Sequence, residues 1–184
     1  MASEKLTMKI FAIDPGNTQS GWVLWDGREL GRGLALRRGR VLECGIDDNE
    51  TVLGYCALFV HEADLAIEMI GHYGTGMPAG KEVFDTCVWI GRFIQAFDAH
   101  ATDGQLWSLH LRPSIKAHLC GSAKAKDGNV AQALRDRFGE KGTKANPGPF
   151  YGVKSHIWQA IALAVYHADT TTNCTPCVEG EPVE

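Results

Sequence analysis

The chain lacks any apolar run approaching the roughly 20 residues that a membrane-spanning helix needs. Its start, MASEKLTMK, has no hydrophobic segment that could serve as a secretory signal. The expectation is a soluble, cytoplasmic protein with no membrane partner. A disulfide framework is missing too. The six cysteines (Cys44, Cys56, Cys87, Cys120, Cys174 and Cys177) are mostly scattered through apolar or strand-like sequence, as free thiols are in a reducing compartment. There is no internal repeat and no domain linker. At 184 residues the chain is long enough to bury a core without staples. One domain is expected over residues 1–169, followed by an acidic tail, 170–184, whose lack of periodicity predicts disorder.

A general basic surplus is also absent. The net charge is -4, which taken alone argues against nucleic acid as a partner, because phosphate binders usually carry a basic surplus. The distribution says more. Residues 1–110 hold 9 Lys+Arg against 15 Asp+Glu, residues 111–154 hold 9 against 3, and residues 155–184 hold 0 against 4. A basic stretch inside an acidic chain has the form of an electrostatic footprint for phosphates, although a solvated lysine-rich face would look the same.

What is present begins with MKIFAID (8–14), an apolar run of strand length, and GWVLW (21–25), a second one after a glycine-containing turn. RVLECGI (40–46) predicts a third strand, with Arg37, Arg38 and Arg40 near its connection. Asn49 is placed to cap a helix starting at Glu50. LAIEMI (65–70) predicts a buried strand, GHYGTGMPAG (71–80) a loop, and KEVFDTCVWIGRFIQAF (81–97) a long helix. QLWSLHL (105–111) is a short strand. A helix with Pro113 in its first turn then ends at Gly121, and a second ends at Gly139. VKSHIWQAIALAVYHAD (153–169) is almost wholly apolar and predicts a buried closing helix. The order βββαβαβααα, antiparallel first and parallel later, implies an α/β domain on a mixed sheet.

Two of these strands carry a carboxylate toward the C-terminal end, Asp14 and Glu68, and in open α/β sheets that edge binds ligands. As parallel neighbours they would face each other across about 5 Å, where two negative charges repel by about 3 kcal/mol at an effective dielectric of 20. A hard divalent cation removes that cost. Ser155, His156 and Gln159 interrupt the apolar sequence of the last helix near its start. His156 and Gln159 can offer an imidazole nitrogen and a carbonyl oxygen to the same cluster. Each residue alone has a plainer reading: a strand-end aspartate as a turn residue, a histidine on a buried helix as a hydrogen-bonded core group.

IDPGNTQSGW, AIEMI and SHIWQAIALAVYHA resemble, in that order, the motifs of the RuvC-like Holliday junction resolvases, and the likeness runs from residue 8 to about 169. GMPAGKEVFDTCVWIGRF and KAHLCGSAKAKDGNV resemble the phage-encoded branch. The resemblance implies a ribonuclease H-like fold, a mixed five-stranded sheet flanked by helices. It also implies an endonuclease that resolves four-way junctions, and other branched DNA, in phage recombination, as a homodimer in the host cytoplasm. Asp14, Glu68 and His156 would be the metal-binding set and, with Gln159, the catalytic one. Two Mg²⁺ or Mn²⁺ ions about 3.5–4 Å apart would bracket the phosphate and leave a 5′-phosphate product. Asp14 would bridge both ions, and an imidazole ligand would favour Mn²⁺.

The chain departs from the family where Gln159 stands in place of an aspartate. A neutral amide does not offset an ion's charge, so the second cation would bind more weakly. Lys116, Lys124 and Lys126 are candidate phosphate contacts in the basic segment, with Arg135 and Arg137 beside them; Tyr73 is a candidate to stack on an unpaired base. Arg92 lies on a helix suited to a dimer interface, where it would serve equally as a surface ion pair. Three rivals remain: a branched-DNA-binding protein with weakened or lost cleavage, an actin-like ATP-binding domain, and a zinc site at Cys174 and Cys177 with His167. The actin-like rival needs a second aspartate-glycine turn that the chain lacks. The zinc site lacks a second ligand pair at a standard spacing.

Overall fold

A computed structural model describes residues 9–27, 39–71, 79–102 and 105–171. The strands are β1 (Lys9–Asp14), β2 (Gln19–Asp26), β3 (Arg40–Asp48), β4 (Asp64–Met69) and β5 (Trp107–Leu111). The helices are α1 (Asn49–Phe59), α2 (Lys81–Asp98), α3 (Arg112–Cys120), α4 (Asp127–Phe138) and α5 (Ile157–Thr171). They follow the order expected from the sequence. The sheet order is β3-β2-β1-β4-β5, with β1 antiparallel to β2, β2 antiparallel to β3, and β4 parallel to both β1 and β5. This mixed five-stranded sheet with helices on both faces is a ribonuclease H-like arrangement.

Strand periodicity of two sorts the side chains into two cores. Phe11 and Ile13 of β1, Trp22 and Leu24 of β2, and Leu65 and Ile67 of β4 pack with Val52, Phe59, Phe93 and Phe97 from α1 and α2. Ile10, Ala12, Val23, Trp25 and Ala66 form the opposite face, against Ile157, Ala160, Ile161 and Ala164 of α5 and Ile115, Val130 and Leu134 of α3 and α4. The alanines let α5 lie close on the sheet. Continued by two residues, the second pattern puts Asp14 and Glu68 on the α5 face.

Two boundaries differ from the sequence reading. Asp48, not Asn49, caps α1: its side chain accepts from the Thr51 amide at 3.0 Å. Asn49 is buried and serves the turn after β1. Its Nδ2 donates to the Gly16 carbonyl at 3.0 Å, its Oδ1 accepts from Ser20 Oγ at 2.7 Å, and its amide donates to the Thr18 carbonyl at 3.1 Å. A Cβ on Gly16 would stand 2.3 Å from the Gln19 carbonyl oxygen, so the turn closes only around glycine there. The last helix begins at Ile157, not Val153. Ser155 takes φ 44°, rare for a residue with a side chain, and bends the chain into α5.

Cys44, Cys56, Cys87 and Cys120 are free thiols, as expected. Among the described residues no helix is long and apolar enough to cross a membrane. Arg37, Arg38, Tyr73, Cys174, Cys177 and most of the 170–184 tail lie outside the described residues.

Candidate active site

The site sits where β1 and β4 end. Ile13 pairs with Ile67 in parallel register, which brings Asp14 and Glu68, the next residue of each strand, side by side. Both are largely withdrawn from water, with side-chain exposures of 6% and 12%. Burial raises the pKa of Asp14, opposed by Arg112 and His156. Glu68 is pushed up to about 7 by burial and by the Asp14 charge, again opposed by Arg112. The pair therefore favours added positive charge.

His156 supplies one partner. Its Nδ1 lies 2.9 Å from Asp14 Oδ2. An ionised carboxylate only accepts, so Nδ1–H donates and a neutral ring keeps Nε2 as a free lone pair. Gly21 makes this contact possible. It pairs with Asp14 across β1 and β2, and a Cβ there would fall 2.7 Å from His156 Cβ and 2.8 Å from the His156 carbonyl carbon. The His156 carbonyl accepts from the amides of Gln159 and Ala160 and so anchors the first turn of α5. Gln159, buried, lines a cleft of about 330 Å³ together with His156, Ser155, Trp158, Arg112 and Asp127.

The sequence reading missed Arg112 and Asp127. Glu68 pairs with His110 in β5, and Arg112 follows two residues later at the end of that strand. Its Nη1 lies 2.8 Å from Glu68 Oε1 and 3.7 Å from Asp14 Oδ1, and its Nη2 lies 3.7 Å from Asp127 Oδ2. The available signal was position: Arg112 follows directly on the C-terminal end of β5, at the same sheet edge as Asp14 and Glu68. Divalent ions were expected to neutralise the two carboxylates; in the structure a guanidinium lies there. Among the described residues, no group of three or more His, Cys, Asp or Glu is gathered so as to hold a metal ion. The residue types nevertheless suit a hard cation: two carboxylates at adjacent strand ends, an imidazole bonded to one of them, and Arg112 as a stand-in for the charge.

The candidate DNA contacts divide. Lys116 is held by Asp127 Oδ1 at 2.9 Å, beside the acids, and this hydrogen bond lowers the Asp127 pKa. Lys124 and Lys126 are exposed between α3 and α4, with Lys126 at the N-terminal cap of α4. Arg135 and Arg137 pair with Glu140 and Asp169, and Arg92 pairs with Glu50 over the Trp89 ring.

No family model matches the sequence, and a search of curated proteins finds no match. Solved structures do match. The structure of Thermus thermophilus RuvC is similar at a TM-score of 0.62 and 21% identity, over 90% of this chain and 96% of that one. The backbone here has a ribonuclease H-like fold. T. thermophilus RuvC in complex with a Holliday junction substrate matches at a TM-score of 0.61 and 20% identity, over 89% and 94% of the two chains. The yeast mitochondrial Holliday junction resolvase Ydc2 matches at 0.58 with 6% identity, over 88% and 79%.

Proposed function

We propose that the protein is a metal-dependent endonuclease of the phage-encoded RuvC type that cuts four-way DNA junctions as a homodimer. The observation that carries this reading is the meeting of Asp14 and Glu68 at adjacent strand ends, on the α5 face, with His156 bonded to Asp14. The fold likeness to two junction resolvases, one of them bound to a junction, adds support.

Asp14, Glu68 and His156 would hold Mg²⁺ or Mn²⁺, which when bound supplies positive charge to a phosphate and lowers the pKa of a water. The chain's own residues do the rest. Asp14 holds the imidazole at the strand edge through Nδ1. Burial keeps both acids short of solvation, so that they hold a cation in preference to water. Lys124 and Lys126 are exposed just before α4, whose first residues Asp127 and Gly128 line the cleft, and would meet phosphates flanking the cut. α2 exposes Phe84 and Val88, one turn apart, on a surface suited to a second copy.

The test is incubation with a synthetic four-way junction and Mn²⁺, next to a linear duplex of the same sequence. Paired nicks with 5′-phosphate ends on the junction alone are expected. Equal cutting of the duplex, or junction binding without nicks, would refute the reading. The second outcome would favour a junction-binding protein with weakened cleavage, which Gln159 in place of an acid supports; Gln159→Asp would then restore nicking.

A further inference from the structure

We infer that Arg112 is a resident counter-cation: it holds Asp14 and Glu68 in the ion-free enzyme and swings into the neighbouring cleft when divalent ions bind. This rests on the proposed metal-dependent reading and adds an exchange of cations to it.

Three observations lead there. First, one nitrogen of Arg112 is shared by the two strand carboxylates, at 2.8 Å from Glu68 and 3.7 Å from Asp14. Positive charge therefore occupies the place that a bridging ion would need. A guanidinium and a divalent ion cannot both sit there, by volume or by repulsion. Second, the other nitrogen already points to an outer anion, Asp127 Oδ2 at 3.7 Å. The outer partner is longer than the inner one, so it offers a second station and not a competing clamp. Third, there is room to move. The cleft of about 330 Å³ is lined by Arg112, Asp127, Gly128, Ser155, His156 and Gln159. Arg112 is the first residue of α3, so its side chain can change rotamer without disturbing the helix.

The arrangement also solves a folding problem. Two buried carboxylates side by side would oppose assembly of the β1–β4 edge in a chain that has not yet met metal. Arg112 supplies the missing charge from within. Once displaced, it stands at the mouth of the cleft, where its planar fork suits a phosphate.

The test is Mn²⁺ binding, read from the free-ion electron paramagnetic resonance signal, for the full-length wild type, Arg112→Gln and Asp14→Asn, without DNA. Removing the competing charge should tighten Mn²⁺ binding to Arg112→Gln on the order of tenfold or more, while Asp14→Asn loses it. Equal affinity for the wild type and Arg112→Gln, with loss in Asp14→Asn, would overturn the exchange and leave the metal site standing. Absence of Asp14-dependent binding in both would overturn both ideas. Because Arg112→Gln takes the guanidinium from Glu68 and leaves two buried acids side by side, which can unfold the chain, a second measurement uses the wild type alone. The side-chain Nε resonance of Arg112 should move during a Mg²⁺ titration with the same midpoint as the His156 ring. A resonance that stays fixed while the His156 ring shifts would refute the displacement.

Discussion

Replacing Gly21 with alanine should damage the site without touching any group that carries charge. Gly21 lies opposite Asp14 in the β1–β2 ladder, and the segment entering α5 rests on it. An added Cβ would come 2.7 Å from His156 Cβ, 2.8 Å from its carbonyl carbon and 2.9 Å from its carbonyl oxygen. Two of these atoms are backbone, so no rotamer change relieves the clash. The α5 entry must move, or the strand must. Overpacking of this kind costs about 1–3 kcal/mol, which in a chain of this size lowers Tm by about 2–12 °C. The functional loss should be larger. His156 reaches Asp14 by one 2.9 Å hydrogen bond, and a displacement of about 1 Å at a catalytic group can cost on the order of a hundredfold in rate. Differential scanning calorimetry and junction nicking, run together, give both readouts. Gly54→Ala in the exposed middle of α1, where a Cβ meets nothing within 4 Å, is the control and should stabilise by about 0.5–1 kcal/mol. A Gly21→Ala protein with wild-type Tm and wild-type nicking would refute the packing of His156 on β2.

Two further outcomes follow from charge. Lys124→Ala and Lys126→Ala should each reduce the slope of log junction affinity against log salt by about 0.9, and an unchanged slope would remove that lysine from the interface. A pH effect comes from the α5–β5 contact, where His110 Nε2 and His167 Nδ1 lie 2.9 Å apart and Nε2 of His167 is buried without a hydrogen-bond partner among the described residues. Burial pushes both rings down to about 4, and for His110 the neighbouring His167 adds to it. The folded pKa is depressed, so the stabilisation is present above the unfolded value near 6.5 and is lost as pH falls from there toward 4. A shift of that size on one ring is worth about 3 kcal/mol across that window, read by urea unfolding. His167→Leu should remove about half of the pair's slope, because His110 keeps its own burial, and a slope equal to that of the wild type would contradict the neutral buried pair.

Much of the fold was legible because it rests on local pattern. The apolar runs of β1 and β4, the Gly121 cap and the alanine-rich α5 each carry their own signal, and the parallel pairing of β1 with β4 follows from the element order. The convergence of Asp14 and Glu68 then needs only strand periodicity. Arg112 was not legible from pattern, since its partners are brought near by the β4–β5 register and not by spacing along the chain. The start of α5 was misjudged for another reason. Val153 is buried and fits the helical apolar pattern, but Ser155 takes a left-handed conformation that no propensity would assign to it. Asn49 read as a cap because its chemistry suits one, whereas Asp48 already fills that role and frees Asn49 to tie down the turn at Gly16.

The most direct measurement compares the wild type with Asp14→Asn on one labelled four-way junction in Mn²⁺, following binding and nicking in the same samples. Loss of nicking with junction affinity retained is the expected result. Nicking by Asp14→Asn at the wild-type rate would contradict the assignment of this strand-end aspartate as the centre of the site.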